Sequence, residues 1–107
     1  MRNKIIAIDF DGTLCVNAFP KIGEAKQSVI DAILREQKNG VNVILWTCRV
    51  GERLIEAIKF CNRAGIIFDA VNENIPAWIE FCGGDTRKVF ADEYWDDKAV
   101  LCKGDLI

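Results

Sequence analysis

The chain has no histidine among its 107 residues, and this absence removes several kinds of chemistry at once. Ser-His-Asp hydrolysis, Cys-His proteolysis and zinc sites built on imidazole all require that side chain. Phosphohistidine transfer is excluded for the same reason. If the protein is an enzyme, its acids, bases and metal ligands must come mainly from carboxylates, with lysine as a cation.

Glycine-rich phosphate-binding loops are also missing. The pair Gly83-Gly84 is followed by Asp85-Thr86, which does not complete the pattern Gly-x4-Gly-Lys-Ser/Thr. No Gly-x-Gly-x-x-Gly motif follows the first predicted strand. Folds that bind nucleoside triphosphates or dinucleotides through such loops therefore lose support.

Long hydrophobic runs are absent as well. No run approaches the roughly 20 residues that a transmembrane helix needs, and the N-terminus lacks the apolar region of a signal peptide. The five cysteines contain no Cys-x-x-Cys pair, which argues against a disulfide framework or a zinc knuckle. The net charge of −2 gives no general attraction to nucleic acid or anionic membranes. We therefore expect one cytoplasmic domain, residues 1–107, without a membrane partner.

What the sequence does contain is an alternation of strand-like and helix-like segments. The predicted elements are strands at 4–8, 41–46, 66–71 and 93–95, helices at 24–39, 51–64 and 77–82, and a loop at 15–23. Such alternation is typical of βαβ units. It predicts an α/β three-layer Rossmann-like domain with a mainly parallel sheet of four or five strands. Whether residues 99–107 add an edge strand is left open.

Two carboxylates follow the first predicted strand, in the stretch Asp9-Phe10-Asp11-Gly12-Thr13-Leu14. Ligands of open α/β sheets bind at the carboxyl ends of the strands, where Asp9 and Asp11 emerge. Asp and Gly are also common turn residues, so this stretch alone is open to interpretation as a plain turn.

Two further runs end in polar residues of the same kind. Thr47-Cys48-Arg49 follows the predicted strand at 41–46, and Asp96-Asp97 follows the one at 93–95. If the strands are neighbours, the carboxylates converge, and two of them about 4 Å apart repel by roughly 4 kcal/mol at an effective dielectric of about 20. Such a cluster requires a cation, and ligation by oxygen atoms alone suits Mg²⁺. The alternative is that the carboxylates are solvated surface residues, and that Lys88, which precedes the last predicted strand, merely pairs with a surface carboxylate.

In this order, the segments resemble the motifs of the haloacid dehalogenase superfamily of phosphohydrolases. The matching residues are Asp9 and Asp11 in the nucleophile motif, Thr47 in the second, Lys88 in the basic third and Asp96-Asp97 in the acidic fourth. The resemblance spans residues 4–98. More closely, residues 44–49 and 88–97 look like a small capless branch of that superfamily.

The resemblance implies a magnesium-dependent phosphomonoester hydrolase that works through an aspartyl-phosphate. Asp9 would be the nucleophile, and Asp11 the general acid and base. Mg²⁺ would be held by Asp9, Asp11, Asp96 and Asp97. Because Asp96 and Asp97 are adjacent, a continuing strand would point them to opposite sides, so the sequence does not say which one binds the metal.

The substrate side of the site would be formed by Thr47, Cys48, Arg49 and Lys88. Thr47 would donate a hydrogen bond to a phosphoryl oxygen, and Lys88 would offset negative charge. Arg49 either grips the phosphate with two hydrogen bonds or is a surface residue that leads into a helix. The sequence leaves both interpretations open.

The substrate itself is the least defined part of the prediction. Neither interval between the motifs is long enough for a cap domain, so the resemblance implies an open site for a phosphorylated small molecule or nucleic-acid end. Phe19, and Trp78 or Phe81, could stack on a base; the alternative is that they are core or interface residues. The alternatives are a phosphotransfer receiver module and a non-catalytic, metal-binding interaction protein. The sequence also leaves open whether the chain forms a homo-oligomer.

Overall fold

The computed structural model describes residues 2–102. Its elements are β1 (Ile5–Ile8), β2 (Cys15–Ala18), β3 (Lys21–Ala25), α1 (Gln27–Lys38), β4 (Asn42–Leu45), α2 (Gly51–Arg63), β5 (Ala70–Val71), α3 (Pro76–Cys82) and β6 (Glu93–Trp95). Four strands form a parallel sheet in the order β5-β4-β1-β6, and β2 and β3 form a separate antiparallel hairpin. The predicted α/β Rossmann-like fold with a mainly parallel, four-stranded sheet is confirmed.

The sheet has two unequally covered faces, because successive side chains of a strand point to opposite sides. Ile6 and Ile8 of β1 lie in the larger buried cluster, together with Ile30 of α1 and Cys61 of α2. The other cluster contains Ile5 and is covered by α3 and the segments beside it. Burial on both faces explains why β1 is a continuous apolar run rather than an alternating one.

The segment predicted as a loop, 15–23, forms most of the β2-β3 hairpin. The segment was predicted as a loop because it contains proline and glycine, and both residues are depleted in strands. Gly23 has a specific reason to be glycine: a Cβ atom there would run into the carbonyl group of Val16. Because β3 continues to Ala25, α1 begins at Gln27 and not at the predicted residue 24.

The third predicted strand, 66–71, is correct only at its end. β5 consists of Ala70 and Val71. The preceding residue, Asp69, bonds to β4 with its side chain as well as with its backbone. Asp69 N donates to Val43 O at 2.9 Å, and Asp69 Oδ2 accepts from Val43 N at 2.8 Å. The carboxylate therefore supplies the acceptor that another backbone carbonyl would supply in a longer strand.

The remaining features of the chain add little to the architecture. None of the helices formed within residues 2–102 combines the length and apolar character needed to cross a membrane. Residues 99–102 form no strand, and residues 103–107, the rest of the segment considered for an edge strand, lie outside the described residues.

Candidate functional site

The carboxyl ends of β1 and β6 bring three carboxylates together. The two strands are parallel neighbours with Ile8 opposite Trp95, and Asp9 N donates to Trp95 O at 2.9 Å. Pairing thus continues one residue beyond β1, which places Asp9 beside the residues that follow β6. One oxygen atom from each of Asp9, Asp96 and Asp97 lies within 4.8 Å of the others.

Both Asp96 and Asp97 belong to this group. The expectation that adjacent residues must diverge assumed that strand geometry persists, but β6 ends at Trp95 and the chain turns there. The turn is stabilised by Asp96, whose Oδ1 accepts a hydrogen bond from Lys98 N at 2.8 Å. Both carboxylates can therefore face Asp9.

Thr13 connects the two strand ends, a role that the sequence did not reveal. Its hydroxyl donates to Asp9 Oδ2 at 3.2 Å and accepts a hydrogen bond from Asp97 N at 3.0 Å. The residue is buried, with 8% of its surface exposed. The signal was present, since Thr13 lies in the stretch that contains Asp9 and Asp11, but its partner Asp97 is 84 residues away in the chain.

Gly12 lies directly against Asp97. Its φ is +93°, a conformation that favours glycine, and a Cβ atom at this position would run into the Asp97 carboxylate. The Gly12 carbonyl accepts a hydrogen bond from Lys26 Nζ at 2.5 Å. Lys26 is the N-cap of α1, where a cation is unfavourable beside the positive end of the helix dipole. This unusual position was a signal that Lys26 makes a specific contact.

The electrostatics of the group favour a bound cation. Burial, followed by the negative charge of Asp96, raises the pKa of Asp9 to about 6 from its ordinary value of 3.8. None of the three carboxylates forms an ion pair with a lysine or arginine in the part of the chain that the structure describes. Carboxylates this close, without a protein cation, are a donor set that suits a divalent metal with a preference for oxygen.

Asp11 lies in a different environment, although it is only two residues from Asp9. Arg49 Nε donates to Asp11 Oδ2 and Arg49 Nη2 to Asp11 Oδ1, both at 2.8 Å. These hydrogen bonds raise the pKa of Arg49 above its usual value. Asp11 is not a member of the carboxylate group. Its side chain therefore does not lie with those of the other three predicted metal ligands.

Arg49 is buried, with only 2% of its surface exposed. Besides Asp11, its guanidinium donates to the carbonyl oxygens of Pro20, Lys21 and Arg53. It lies between the rings of Phe10 and Phe19, at 5.0 and 5.1 Å from their centroids. The interpretation of Arg49 as a surface residue is wrong, because the residue is buried. The phosphate grip stays a prediction, and it would require the guanidinium to exchange some of its contacts inside the protein.

Thr47 follows β4, the other neighbour of β1. Its backbone N donates to Asn72 Oδ1 at 2.8 Å, and its Oγ1 accepts from Arg49 N at 3.2 Å. Thr47 is half-buried, and the next residue, Cys48, is exposed. These positions put both residues at the same end of the sheet as Asp9.

Lys88 is exposed in the segment before β6. Its ammonium lies 5.6 Å from the centroid of the Tyr94 ring and forms no ion pair with an acidic residue among residues 2–102. Tyr94 precedes Trp95 and points to the opposite face of the sheet, where its hydroxyl donates to Val89 O at 2.6 Å. The structure therefore places Lys88 beside Tyr94, without an ion pair to Asp9.

Comparison with known proteins adds one relationship. No protein-family model matches the chain, and no curated protein matches it. Among solved structures, a conserved protein coded by a locus of Bacteroides thetaiotaomicron is similar, with a TM-score of 0.82 and 37% sequence identity over 92% of this chain and 79% of that one. The chain belongs to the same family as this Bacteroides protein. The relative is described only as conserved, so the relationship supports the fold and leaves the chemistry to the residues.

Proposed function

We propose that the protein is a magnesium-dependent phosphomonoester hydrolase that acts through an aspartyl-phosphate at Asp9. The observation that carries this proposal is the carboxylate group of Asp9, Asp96 and Asp97, whose oxygens lie within 4.8 Å of one another at the carboxyl end of a parallel sheet. The fold alone would not support it, because such sheets host many activities. The resemblance of the motifs to those of haloacid dehalogenase phosphohydrolases supports this choice of reaction.

The residues present fit Mg²⁺. Carboxylate oxygens are hard donors, and Mg²⁺ is usually held by one or two carboxylates together with water and substrate phosphate. Asp9, Asp96 and Asp97 offer three carboxylates in reach of one another. When bound, the ion would offset the negative charge of the carboxylates and the phosphoryl group, which is the main requirement of phosphoryl transfer.

In the first step, one carboxylate oxygen of Asp9 attacks the phosphorus atom. The bond from phosphorus to the ester oxygen breaks, and that oxygen leaves with the electron pair and takes up a proton. Thr13 holds one Asp9 oxygen at 3.2 Å, which restricts the rotation of the nucleophile. Thr47, at the end of the neighbouring strand, is the residue we assign to a phosphoryl oxygen.

In the second step, water attacks the phosphorus of the aspartyl-phosphate, and Asp9 is released. We assign Asp11 to the proton transfers, and its contacts affect the two steps differently. Each Asp11 oxygen accepts one hydrogen bond from Arg49 and keeps a second lone pair, which can receive a proton from water. Donating a proton to the leaving oxygen in the first step requires Asp11 to release part of this contact.

The surroundings of the site favour a substrate that is not enclosed. Exposed apolar side chains of Val16, Phe19 and Val50 lie on the hairpin and before α2, and the elements that residues 2–102 form include no cap domain. We therefore propose a phosphorylated small molecule or a phosphorylated nucleic-acid end as the substrate class.

The proposal is tested by phosphate release from a generic aryl phosphate, with and without Mg²⁺. Native protein should release phosphate only with Mg²⁺, and Asp9→Asn should lower the rate about a thousandfold or more, since it removes the nucleophile. Asp31→Asn is the matched control, because Asp31 is an exposed residue on α1 whose side chain bonds only to Gln27 among the described residues 2–102. Asp31→Asn should keep the native rate.

The intermediate has its own test. Borohydride reduction of protein quenched during turnover, followed by peptide mass spectrometry, should convert residue 9 to homoserine. Stable phosphorylation of Asp9 without turnover would indicate a receiver module. Mg²⁺ binding without phosphorylation or phosphate release on a panel of nucleotides, sugar phosphates and phosphorylated DNA ends would indicate a non-catalytic protein.

A further inference from the structure

A cavity of about 690 Å³ lies at the amino-terminal end of the sheet, at the opposite end from the carboxylates. Its lining includes Ile5 and Asn42, which are the first residues of β1 and β4 and lie opposite each other in the sheet. Its other wall includes Trp78 and Phe81 of α3. None of these residues takes part in the proposed hydrolysis, so the cavity is independent of that function.

The cavity results from the short helix on this face of the sheet. α3 has seven residues, whereas α1 and α2, which cover the other face, have 12 and 13. Ile5 and Ile75 are buried at its base, with 3% and 6% of their surface exposed. A volume of this size is within the range of about 300 to 1,000 Å³ that is usual for small-molecule sites.

The aromatic wall is held in position by stacking. The ring of Trp78 lies parallel to that of Phe90, at 3.8 Å between centroids and 10° between planes. The ring centroid of Phe81 lies 5.5 Å from that of Trp78, and Phe81 has 81% of its surface exposed. A fixed Trp beside an exposed Phe, with their rings tilted by 40°, presents an aromatic surface to a ligand.

The polar lining consists of two side-chain amides and one arginine. Neither the side-chain amide of Asn3 nor that of Asn42 forms a hydrogen bond with any residue in the described range 2–102. Asn42 shares a sheet face with Ile5 and is half-buried, so its amide lies on the side of the cavity. An amide carries a donor and an acceptor side by side, which matches the hydrogen-bonding edge of a planar heterocycle.

The charge of Arg2 is already neutralised. Its guanidinium donates two hydrogen bonds to Asp92, both at 2.7 Å, and stands over the ring of Phe90 at 4.8 Å. Arg2 is the only cation in the lining of the cavity that residues 2–102 form. The cavity therefore offers stacking and amide hydrogen bonds, without a free positive charge for a phosphate or carboxylate.

We propose that this cavity binds an uncharged planar heteroaromatic molecule of the nucleobase or nucleoside class. The ligand stacks against the aromatic side chains of α3, and its polar edge bonds to the Asn42 amide. Stacking on an aromatic side chain and hydrogen bonding to an amide are the two contacts by which proteins generally recognise unpaired bases. The absence of a free cation favours a nucleoside over its phosphorylated form.

The test is a titration of the full chain with adenosine, followed by amide chemical shifts, with AMP as the second probe. Adenosine should bind saturably with shifts in residues 75–82, and AMP should bind more weakly. Asn42→Ala should weaken adenosine binding about tenfold, and Asn62→Ala, an exposed asparagine of α2, should leave it unchanged. Ala77→Phe, which adds a ring at an exposed lining position, should block binding without removing any native contact.

Three results would overturn the proposal. The first is a lack of saturable binding up to millimolar adenosine, and the second is binding that Ala77→Phe does not affect. The third is self-association of the native chain that Phe81→Ala abolishes, together with no adenosine binding, because this face would then be a subunit interface. Asp9→Asn should bind adenosine normally, so failure of the hydrolase and failure of this site are distinguishable.

Discussion

Asp9 and Asp11 are two residues apart in one turn, yet they lie in opposite electrostatic environments. Asp9 belongs to an acidic group with Asp96 and Asp97, in which no carboxylate pairs with a cation of residues 2–102. Asp11 belongs to what we call the arginine clasp, formed by Asp11, Arg49 and the hairpin carbonyls that Arg49 contacts. The acidic group has no compensating positive charge among residues 2–102, whereas in the arginine clasp Arg49 compensates the charge of Asp11.

This difference gives the two regions different effects on stability. The arginine clasp ties the β2-β3 hairpin to the turn after β1 and to the start of α2, so it stabilises the native arrangement. The acidic group costs free energy in the absence of a cation, because like charges this close together repel. Functional sites are where such unfavourable arrangements are expected. Removing the charge of one carboxylate should therefore have opposite effects on stability in the two regions.

The largest effect on stability is expected from Arg49→Met. Removing one member of a buried ion pair leaves the other charge uncompensated, which typically costs about 3 to 5 kcal/mol. The side chains of Arg49 and Asp11 are 1% and 17% exposed, so solvent can replace the lost contact only in part. Urea denaturation should show this loss.

Two variants sharpen the Arg49 result. Arg53→Met removes an exposed partner of Glu56 and should cost less than about 0.5 kcal/mol. Combining Arg49→Met with Asp11→Leu should recover much of the lost stability, since no uncompensated charge remains. If Arg49→Met is as stable as Arg53→Met, the arginine clasp does not hold the hairpin.

The second prediction compares Gly12→Ala with Gly40→Ala. Both glycines have positive φ values, +93° and +83°, so each substitution should cost about 1 to 2 kcal/mol in backbone strain. Only at position 12 does the new methyl group displace the Asp97 carboxylate, whereas nothing lies near position 40. Mg²⁺ affinity measured by calorimetry should therefore fall in Gly12→Ala and stay unchanged in Gly40→Ala. Equal affinity in both variants would mean that Asp97 is not a ligand.

The sequence predicted the sheet and the acidic group because both depend on local patterns. Apolar runs that end in carboxylates are visible in one dimension, and parallel strands bring their carboxyl ends to one edge. The contacts of Arg49 were not predictable in this way. Its partner Asp11 is 38 residues away, and two of its other partners lie in a hairpin that was predicted as a loop because it contains proline and glycine. Burial of an arginine depends on such distant contacts, and a single sequence does not record them.

The third prediction concerns Thr13, which joins the two strand ends of the acidic group. Thr13→Val keeps the shape of the side chain but removes the acceptor for Asp97 N and the donor to Asp9. The free energy of unfolding should fall by about 1 kcal/mol, the usual net effect of losing such hydrogen bonds. Thr13→Ser keeps the hydroxyl and is the control in urea denaturation. If Thr13→Val is as stable as the native chain, the hydroxyl does not hold the two strand ends together.

The smallest effect is a pH dependence that isolates Asp9. In the metal-free chain the pKa of Asp9 is raised to about 6, so the folded state binds this proton more tightly than the unfolded state, where the pKa is near 3.8. The resulting stability is fully present below pH 3.8 and is lost as the pH rises through 6. Because Asp9 is half-buried, solvent screening limits the loss to about 1 kcal/mol.

The measurement is the difference in unfolding free energy between the native chain and Asp9→Asn, in EDTA, between pH 4 and 7. As the pH rises, this difference should shift by about 1 kcal/mol against the native chain. Asp92, whose pKa is lowered to about 2 beside Arg2, is present in both proteins and cancels in the difference. Saturating Mg²⁺ should reverse the sign of this shift, because the ion binds the ionised carboxylates. A difference in EDTA that does not change with pH would show that the acidic group does not raise the pKa of Asp9.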